Sequence, residues 1–156
     1  MTTQTESALA KLTALSQTLD SVSNQLSQQI TEIESALNDL NCGVWAWLRD
    51  DPLDVEEVSE VGTNGQRSSV HHIQQLGYGK NKGKWGFLVA SGTQESWGTD
   101  VTITFLQDAP REIKLRAIER IHKLLDILAE GLNRVTQKTT EKVMEAREIA
   151  TALRKS

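Results

Sequence analysis

Apolar residues recur every seven positions at both ends of this chain, and this spacing limits the folds open to it more than any other feature. In the N-terminal segment one seam consists of Leu12, Leu19, Leu26, Ile33 and Leu40, and its companion of Ala8, Leu15, Val22, Gln29 and Ala36. A heptad repeat sustained in this way is typical of a long helix that packs along one face. The sequence therefore predicts a helix over residues 5–41, with Asn41 and Gly43 as stop signals.

The C-terminal segment carries the same signal. Its first half has two seams, and its second half a narrower apolar stripe; the members are Ile118, Leu125 and Leu132, then Ile121, Leu128 and Val135, and further on Val143, Ala146, Ile149 and Leu153. Asp108 and Pro110 are typical of a helix start, because proline in the first turn loses no hydrogen bond. A second long helix is predicted over residues 109–155.

Residues 43–108 have the period-two alternation and tight turns of an antiparallel sheet. Asn64-Gly65 is a strong hairpin signal. The stretch 76–92 reads as a second hairpin, with a lysine-rich turn between two apolar runs. We predict about five strands in a meander, near residues 44–48, 57–61, 68–78, 84–90 and 100–106.

Alternation along the strands also predicts which side chains face the helices. The predicted core face contains Trp85, Phe87 and Val89 of the fourth strand with Val101, Ile103 and Phe105 of the fifth. Trp45 and Trp47 share one face of the first strand, and we expect them to be core residues as well. The opposite sheet face, with Leu88 and Ala90, is small and semi-polar; it is open to solvent, a dimer contact or a ligand.

These elements predict a single α+β domain over residues 1–156, with both helices on one face of the sheet. At ~1.5 Å per residue the helices are about 55 and 65 Å long, whereas a six-residue strand spans only about 20 Å. Both apolar stripes therefore overshoot the sheet. We expect the overshooting parts to form an antiparallel helical stalk, or a four-helix bundle in a dimer.

Composition restricts the partners. A net charge of −4 is unlike that of a dedicated nucleic-acid-binding protein. No segment is apolar enough to span a bilayer, the N-terminus does not resemble a signal peptide, and one cysteine cannot form an internal disulfide, so we expect a cytoplasmic protein without a membrane contact. Residues 1–41 have a net charge of −4 and residues 110–156 of +4, which favours pairing of the two helical ends.

The sequence offers few residues for chemistry. The turn Lys80-Asn81-Lys82-Gly83-Lys84 invites an anion-binding interpretation, but it does not match a P-loop, because no Ser or Thr follows the lysine and a strand follows the turn. Solvated lysines are the simpler interpretation. Trp97, in a loop rich in Gly, Ser and Thr, either anchors that loop or contacts a ligand, and with Tyr78, Lys80, Lys82 and Lys84 it could line a pocket.

Metal and acid–base chemistry find no support. His71 and His72 point to opposite faces of a strand, and no spacing brings His122 to a carboxylate. The acidic run 50–60 lacks the ligand order of an EF-hand and is interpreted as an exposed turn and edge strand, or as a docking patch for a basic partner. We predict no cofactor and no catalytic site.

Two functions remain. The leading hypothesis is a non-enzymatic interaction and oligomerisation module that forms a homodimer or binds a helical protein partner. Its predicted seam includes Leu12, Leu19, Leu26, Ile33, Leu128, Val135 and Ile149. The alternative is a small-molecule or anion sensor, because helix, antiparallel sheet and helix in this order is similar in shape to sensor domains of the GAF and PAS type.

Overall fold

The computed structural model describes residues 2–95 and 97–156 and confirms an α+β fold with two long helices and a five-stranded antiparallel sheet. The elements are α1 (Thr2–Leu40), β1 (Ala46–Trp47), β2 (Asp54–Val61), β3 (Arg67–Asn81), β4 (Lys84–Thr93), β5 (Thr102–Phe105), a 3-10 turn (Leu106–Asp108) and α2 (Arg111–Lys155).

Strand β3 is the centre of the sheet. It has 15 residues, enough for β2 and β1 to pair end to end along one of its edges, with Asp54 opposite Gln74 and Ala46 opposite Tyr78. Its other edge pairs with β4, and β4 pairs with β5. The meander order predicted from sequence therefore needs one change, because β1 lies beside β3 instead of beside β2.

The lysine-rich turn forms the predicted hairpin between β3 and β4. Lys82 and Gly83 have φ angles of 52° and 81°. Two left-handed residues in a two-residue turn match the twist of the flanking strands, and this is the geometry that favours glycine at its second position. The end of the sheet that carries Lys82 and Gly83 is called the turn end below.

The core lies between the helices and one sheet face. Phe87 and Val89 face it as predicted, together with Leu76 and Tyr78 of β3. The prediction for β5 was wrong: Phe105 lies opposite Leu88 and Thr104 opposite Val89, so Ile103 and Phe105 lie on the other face. A shift of one residue in register moves every side chain of a strand to the other side of the sheet.

Helix α2 supplies most of the helical core, and α1 contributes a shorter stretch, from Leu26 to Leu37. The buried residues of α2 are Ile113, Ala117, Ile121, Leu124, Leu128 and Gly131. Among the described residues of α1, Ile30 alone is buried, with Leu26, Ile33 and Leu37 partly buried beside it. The two helices make few contacts with each other.

The tryptophans of β1 and its approach are not core residues, which corrects the prediction. Ala46 and Leu48 are buried, whereas Trp45 is 48% exposed and Trp47 is partly buried. The Trp47 ring lies on Gly77 and the Trp45 ring on Gly79, so closely that a Cβ at either glycine would overlap the indole. Glycine at these positions allows two large rings to cover the sheet.

Both helices run toward the turn end of the sheet. Along α1, Glu34 meets Phe87 and Asn38 meets Trp85, so the helix approaches the turn as its residue numbers increase. Along α2, Lys123 binds Asp51 and Gly131 lies against Val44. Because residues 44–51 run antiparallel to β3, α2 also approaches the turn end as its numbers increase.

The antiparallel helical stalk is therefore not confirmed. The N-terminal half of α1 leaves the sheet at the end away from the turn, and the C-terminal half of α2 extends past the turn end. The reason is connectivity: α1 enters β1 by a short reversal at Asn41 and Gly43, both in the left-handed region, and β1 runs antiparallel to β3. Helices α1 and α2 therefore both run parallel to β3.

Candidate functional site

Two helical segments project from the domain. The first, called the N-terminal arm, comprises residues 2–22 of α1, all of them exposed. Its large apolar residues are Leu9, Leu12, Leu15, Leu19 and Val22, which are 45% to 62% exposed. They continue the apolar face that Leu26 and Ile30 bring into the core. The arm is an amphipathic helix whose apolar stripe faces solvent.

The second segment, called the C-terminal arm, comprises residues 133–155 of α2, again all exposed. Its large apolar residues are Val135, Val143, Met144, Ile149 and Leu153, which are 44% to 70% exposed. The structure thus divides the predicted seam into two groups. Leu26, Ile33 and Leu128 belong to the core or its margin, and Leu12, Leu19, Val135 and Ile149 lie on the arms.

The arms carry opposite net charges. The N-terminal arm has Glu6, Lys11 and Asp20, a net charge of −1. The C-terminal arm has six basic and three acidic residues, a net charge of +3. One ion pair, Lys142 Nζ to Glu145 Oε2 at 2.9 Å, lies within the C-terminal arm. The remaining basic charge is available to a negatively charged partner.

A cavity of about 310 Å³ lies at the turn end, where α1 ends. It is lined by Asn38, Asn41, Cys42, Gly43, Tyr78, Lys84 and Trp85. Two of the residues predicted for ligand binding, Tyr78 and Lys84, therefore come together here. Lys80 and Lys82 are exposed on the hairpin outside the lining, and Trp97 lies at the other end of β4, against Gly92.

The cavity has aromatic walls and a fixed polar network. The Tyr78 hydroxyl donates to Asn38 Oδ1 at 2.5 Å, and Asn38 Nδ2 donates to the Trp85 carbonyl at 3.1 Å. The ring centroids of Tyr78 and Trp85 are 5.7 Å apart. Burial raises the pKa of Tyr78, and the Cys42 thiol and Glu34 add to this, so the hydroxyl stays a neutral donor at neutral pH. Such walls suit a planar apolar molecule, and Lys84 suits an anionic group on it.

Sequence reasoning missed Glu34, which joins α1 to the sheet. Strand β5 ends its pairing with β4 at Leu88, and at the next position toward the turn end Glu34 Oε1 accepts the Phe87 N–H at 2.9 Å. Burial raises the pKa of the Glu34 carboxyl, while the bonds from Phe87 and Gln107 oppose this rise. In the sequence, the one sign that Glu34 contacts the sheet was its position about one helical turn after Ile30.

Replacing Glu34 with alanine is expected to lower the free energy of unfolding by about 1 to 3 kcal/mol at pH 7, because the Phe87 N–H loses its acceptor. Glu34→Gln keeps an acceptor oxygen without a charge and is expected to cost less. The raised pKa means that the folded chain binds this proton more tightly than the unfolded chain. The stabilisation that this proton gives the wild type is therefore fully present below pH 4.5, and it is lost as the pH rises through the raised pKa of Glu34.

Urea denaturation of wild type, Glu34→Ala and Glu34→Gln from pH 4 to pH 8 checks this. The free energy of unfolding of the wild type, relative to that of Glu34→Gln, should fall as the pH rises through the raised pKa of Glu34. Parallel stability profiles for these two proteins, or an alanine variant as stable as the glutamine variant, would contradict the role assigned to the carboxylate.

The acidic run 50–60 divides into two parts. Asp51 binds Lys123 at 2.6 Å and Arg120 at 3.1 Å, and Asp54 binds Arg116 at 2.6 Å. The hydrogen bond from Lys123, followed by Arg120, lowers the pKa of Asp51. The later carboxylates of the run, on β2, are exposed. The first part thus fixes α2 over the sheet, which sequence reasoning did not predict.

Metal binding is not indicated by the residues at hand. Across residues 2–95 and 97–156, no group of three or more His, Cys, Asp or Glu side chains is placed to hold a metal ion. His72 lines a separate open groove with Glu60, Glu95 and Asp100, and His122 is exposed on α2.

Comparisons with known proteins add no relative. No protein-family model matches the chain, and neither the curated proteins nor the solved structures give a significant match. Within the part of the chain that the structure describes, neither helix has an apolar stretch long enough to cross a bilayer.

Proposed function

We propose that this protein is a non-enzymatic oligomerisation module whose two arms bind a second copy of the same chain. The observation that carries the proposal is the exposure of the apolar stripe on both arms, over residues 2–22 and 133–155. In this proposal the α+β domain is the scaffold that holds the arms apart, and the protein acts in the cytoplasm without a cofactor.

Exposed heptad seams favour association on energetic grounds. Removing apolar surface from water is worth roughly 25 cal/mol per Å², and each fully buried Leu, Ile or Val contributes about 1.5 to 3 kcal/mol. Each arm presents five large apolar side chains. Those of the N-terminal arm lie on one face of its helix, whereas on the C-terminal arm Val135, Ile149 and Leu153 share a face and Met144 lies on the opposite side. Contiguous apolar stripes of this kind mark interaction surfaces, whereas single exposed apolar residues are ordinary.

A second copy is the partner favoured by charge and shape. The chain carries both an arm of net charge −1 and an arm of net charge +3, so two copies supply complementary surfaces to each other. Both arms are helical throughout and of similar length, at about 32 and 35 Å. A different helical protein remains an outcome that the test below detects.

Sedimentation equilibrium of the full chain, over a hundredfold range of concentration, tests the proposal. A dimer that dissociates on dilution, or one that persists throughout, supports it. A monomer at every concentration opposes it, and would direct the search to a different helical partner.

A second candidate function is the binding of a small planar anion in the cavity at the turn end. The observation that favours it is that Tyr78, Trp85 and Lys84 line one cavity of about 310 Å³. Outside the lining, the Trp45 ring contacts Trp85, with ring centroids 6.0 Å apart. The position of this cavity between the end of α1 and the hairpin would couple binding to the α1–sheet contact.

An aromatic carboxylate such as salicylate is expected to quench or shift tryptophan fluorescence in a saturable way, because the Trp85 indole lines the cavity. Lys84→Ala should weaken this binding about tenfold through loss of the charge-assisted contact. Lys82→Asn is the matched control: it removes a lysine from the same turn, outside the cavity lining, and asparagine tolerates the left-handed backbone. Equal effects of the two variants would remove the assignment to this cavity.

A further inference from the structure

We infer that two copies pair by exchange of arms, with the N-terminal arm of each chain lying antiparallel to the C-terminal arm of the other. The inference rests on the proposed function and specifies its interface. It names which arm binds which, in which direction and in which register.

The first step is that the arms of one chain cannot meet. Both helices run toward the turn end of the sheet, as the contacts of Asn38 with Trp85 and of Gly131 with Val44 establish. The N-terminal arm therefore projects from one end of the domain and the C-terminal arm from the other. A partner arm for either stripe therefore has to come from another molecule.

The second step is symmetry. A two-fold axis perpendicular to the helices turns the second copy end for end. Its C-terminal arm then lies on the side of the first copy's N-terminal arm, and the two arms run in opposite directions. The same operation places the remaining two arms together at the other end, so both stripes of both chains are covered in one closed dimer.

The third step is the charge of the alternatives. Pairing two C-terminal arms brings together two surfaces of net charge +3, and pairing two N-terminal arms leaves those basic surfaces unmatched. Exchange of arms places an N-terminal arm of net charge −1 against a C-terminal arm of net charge +3 at both ends of the dimer. Like charges across an interface suppress a pairing, and opposite charges fix its register.

The fourth step is the register. Aligning the ends of antiparallel arms sets Val22 opposite Asn133, and residue 11 opposite residue 144. Lys11 then lies next to Glu145. A parallel alignment of the same arms instead sets Lys11 beside Lys142, and these like charges disfavour it.

Glu6 agrees with the antiparallel register, because it is aligned with Ile149, two residues from Arg147. Asp20 is aligned with Val135, but it lies nine residues from Lys11, which is about half a turn around the helix. It therefore does not face Arg134 or Lys138, which share the flank of Glu145, so two of the three charged residues of the N-terminal arm meet opposite charge in this alignment. The apolar residues Leu12, Leu19, Ile149 and Val135 lie on the stripes that this alignment brings together.

Carbodiimide coupling of the wild-type full chain tests the pairing directly, because it joins a lysine to a carboxylate only when they touch. The sample is an equal mixture of ¹⁴N- and ¹⁵N-labelled protein, in which only a link between chains can carry both labels. We expect mixed-label links from Lys11 to Glu145. The pair Lys142–Glu145, at 2.9 Å within one chain, is the internal positive control and should give unmixed links.

Other links would overturn the inference. Mixed-label links from Lys11 to Glu6 or Asp20 indicate pairing of two N-terminal arms, and links from Lys138 to Glu141 or Glu145 indicate pairing of two C-terminal arms. A dimer with a strong control link but without any mixed-label link between arms also overturns it. In these cases the protein still dimerises and the proposed function stands, whereas a monomer in sedimentation equilibrium removes both.

A charge-reversal cycle gives an independent readout. Lys11→Glu and Glu145→Lys are each expected to weaken the dimer about tenfold, since each places like charges together at two sites per dimer. A chain with both changes restores opposite charges and should return to within about threefold of the wild-type Kd. If the double variant loses as much association free energy as the two single variants together, the register is contradicted.

Discussion

Phe87→Ala is expected to lower the free energy of unfolding by about 3 to 5 kcal/mol, the range for truncating a fully buried phenylalanine. The Phe87 side chain is 0% exposed and packs edge-on against Tyr78, with ring centroids 5.9 Å apart. It belongs to the cluster in which Ile30 of α1 and Leu124 of α2 meet the sheet. Alanine would leave a cavity where both helices pack against the sheet.

The measurement is urea denaturation followed by far-ultraviolet circular dichroism. The matched control is Val55→Ala on β2, a strand residue that is 52% exposed and is expected to change stability by no more than about 0.5 kcal/mol. Since domains of this kind are stable by only about 5 to 15 kcal/mol, the Phe87 variant should unfold at much lower urea. A loss below about 1 kcal/mol would contradict the placement of Phe87 in the core.

Substitution of Leu12 and Leu19 together by aspartate is expected to convert the dimer to a monomer. Each chain loses two apolar contacts, and two arms change per dimer, so the loss of association free energy is about 4 kcal/mol or more, a thousandfold or greater rise in Kd. The fold should remain intact because both residues are exposed, at 62% and 45%. Sedimentation equilibrium measures the Kd, and circular dichroism confirms the helix content.

The N-terminal arm itself offers a matched control. Ala10→Asp with Gln17→Asp makes the same change in charge at the same seven-residue spacing, on the opposite side of the helix from Leu12 and Leu19. This control should remain dimeric, with a Kd within about threefold of wild type. If both double variants dissociate alike, the interface does not follow the apolar stripe.

Local signals in the sequence were sufficient for the elements and their turns. The heptad seams gave both helices, and the glycines at positions 65 and 83, both with positive φ, gave both hairpins. These predictions held because periodicity and turn chemistry act over a few residues. Phe87 could be placed in the core for the same reason.

Features that depend on pairs of distant residues could not be read from the pattern. The position of β1 depends on the length of β3, and the direction of α2 depends on the contacts of Asp51 with Lys123, 72 residues apart. Alternation grouped Trp45 and Trp47 correctly on one face, but it gave no sign that Gly77 and Gly79 would receive their rings on the outside of the sheet. The register of β5 was undetermined because both of its faces carry β-branched residues.

The candidate site was predictable to the same extent. The sequence placed Leu12, Leu19, Val135 and Ile149 on apolar seams, and the structure adds which of the seam residues lie outside the core. Tyr78 and Lys84 come together at one cavity, but Asn38 and Cys42, which complete it, come from the end of α1. The end of a helix and a hairpin 40 residues later come together only in the tertiary structure, so local sequence patterns do not show their proximity.

The thin attachment of α1 has a consequence for synthesis on the ribosome. This helix is made before the sheet and α2, and its partners Phe87, Gln107 and Lys114 are 53 to 87 residues further along the chain. At roughly 5 to 20 residues per second, translation takes about 3 to 17 s to span those 53 to 87 residues. The β3–β4 hairpin, with its two-residue turn, needs only microseconds once it has emerged. A newly made chain therefore carries an undocked amphipathic helix for seconds before its own domain can receive it.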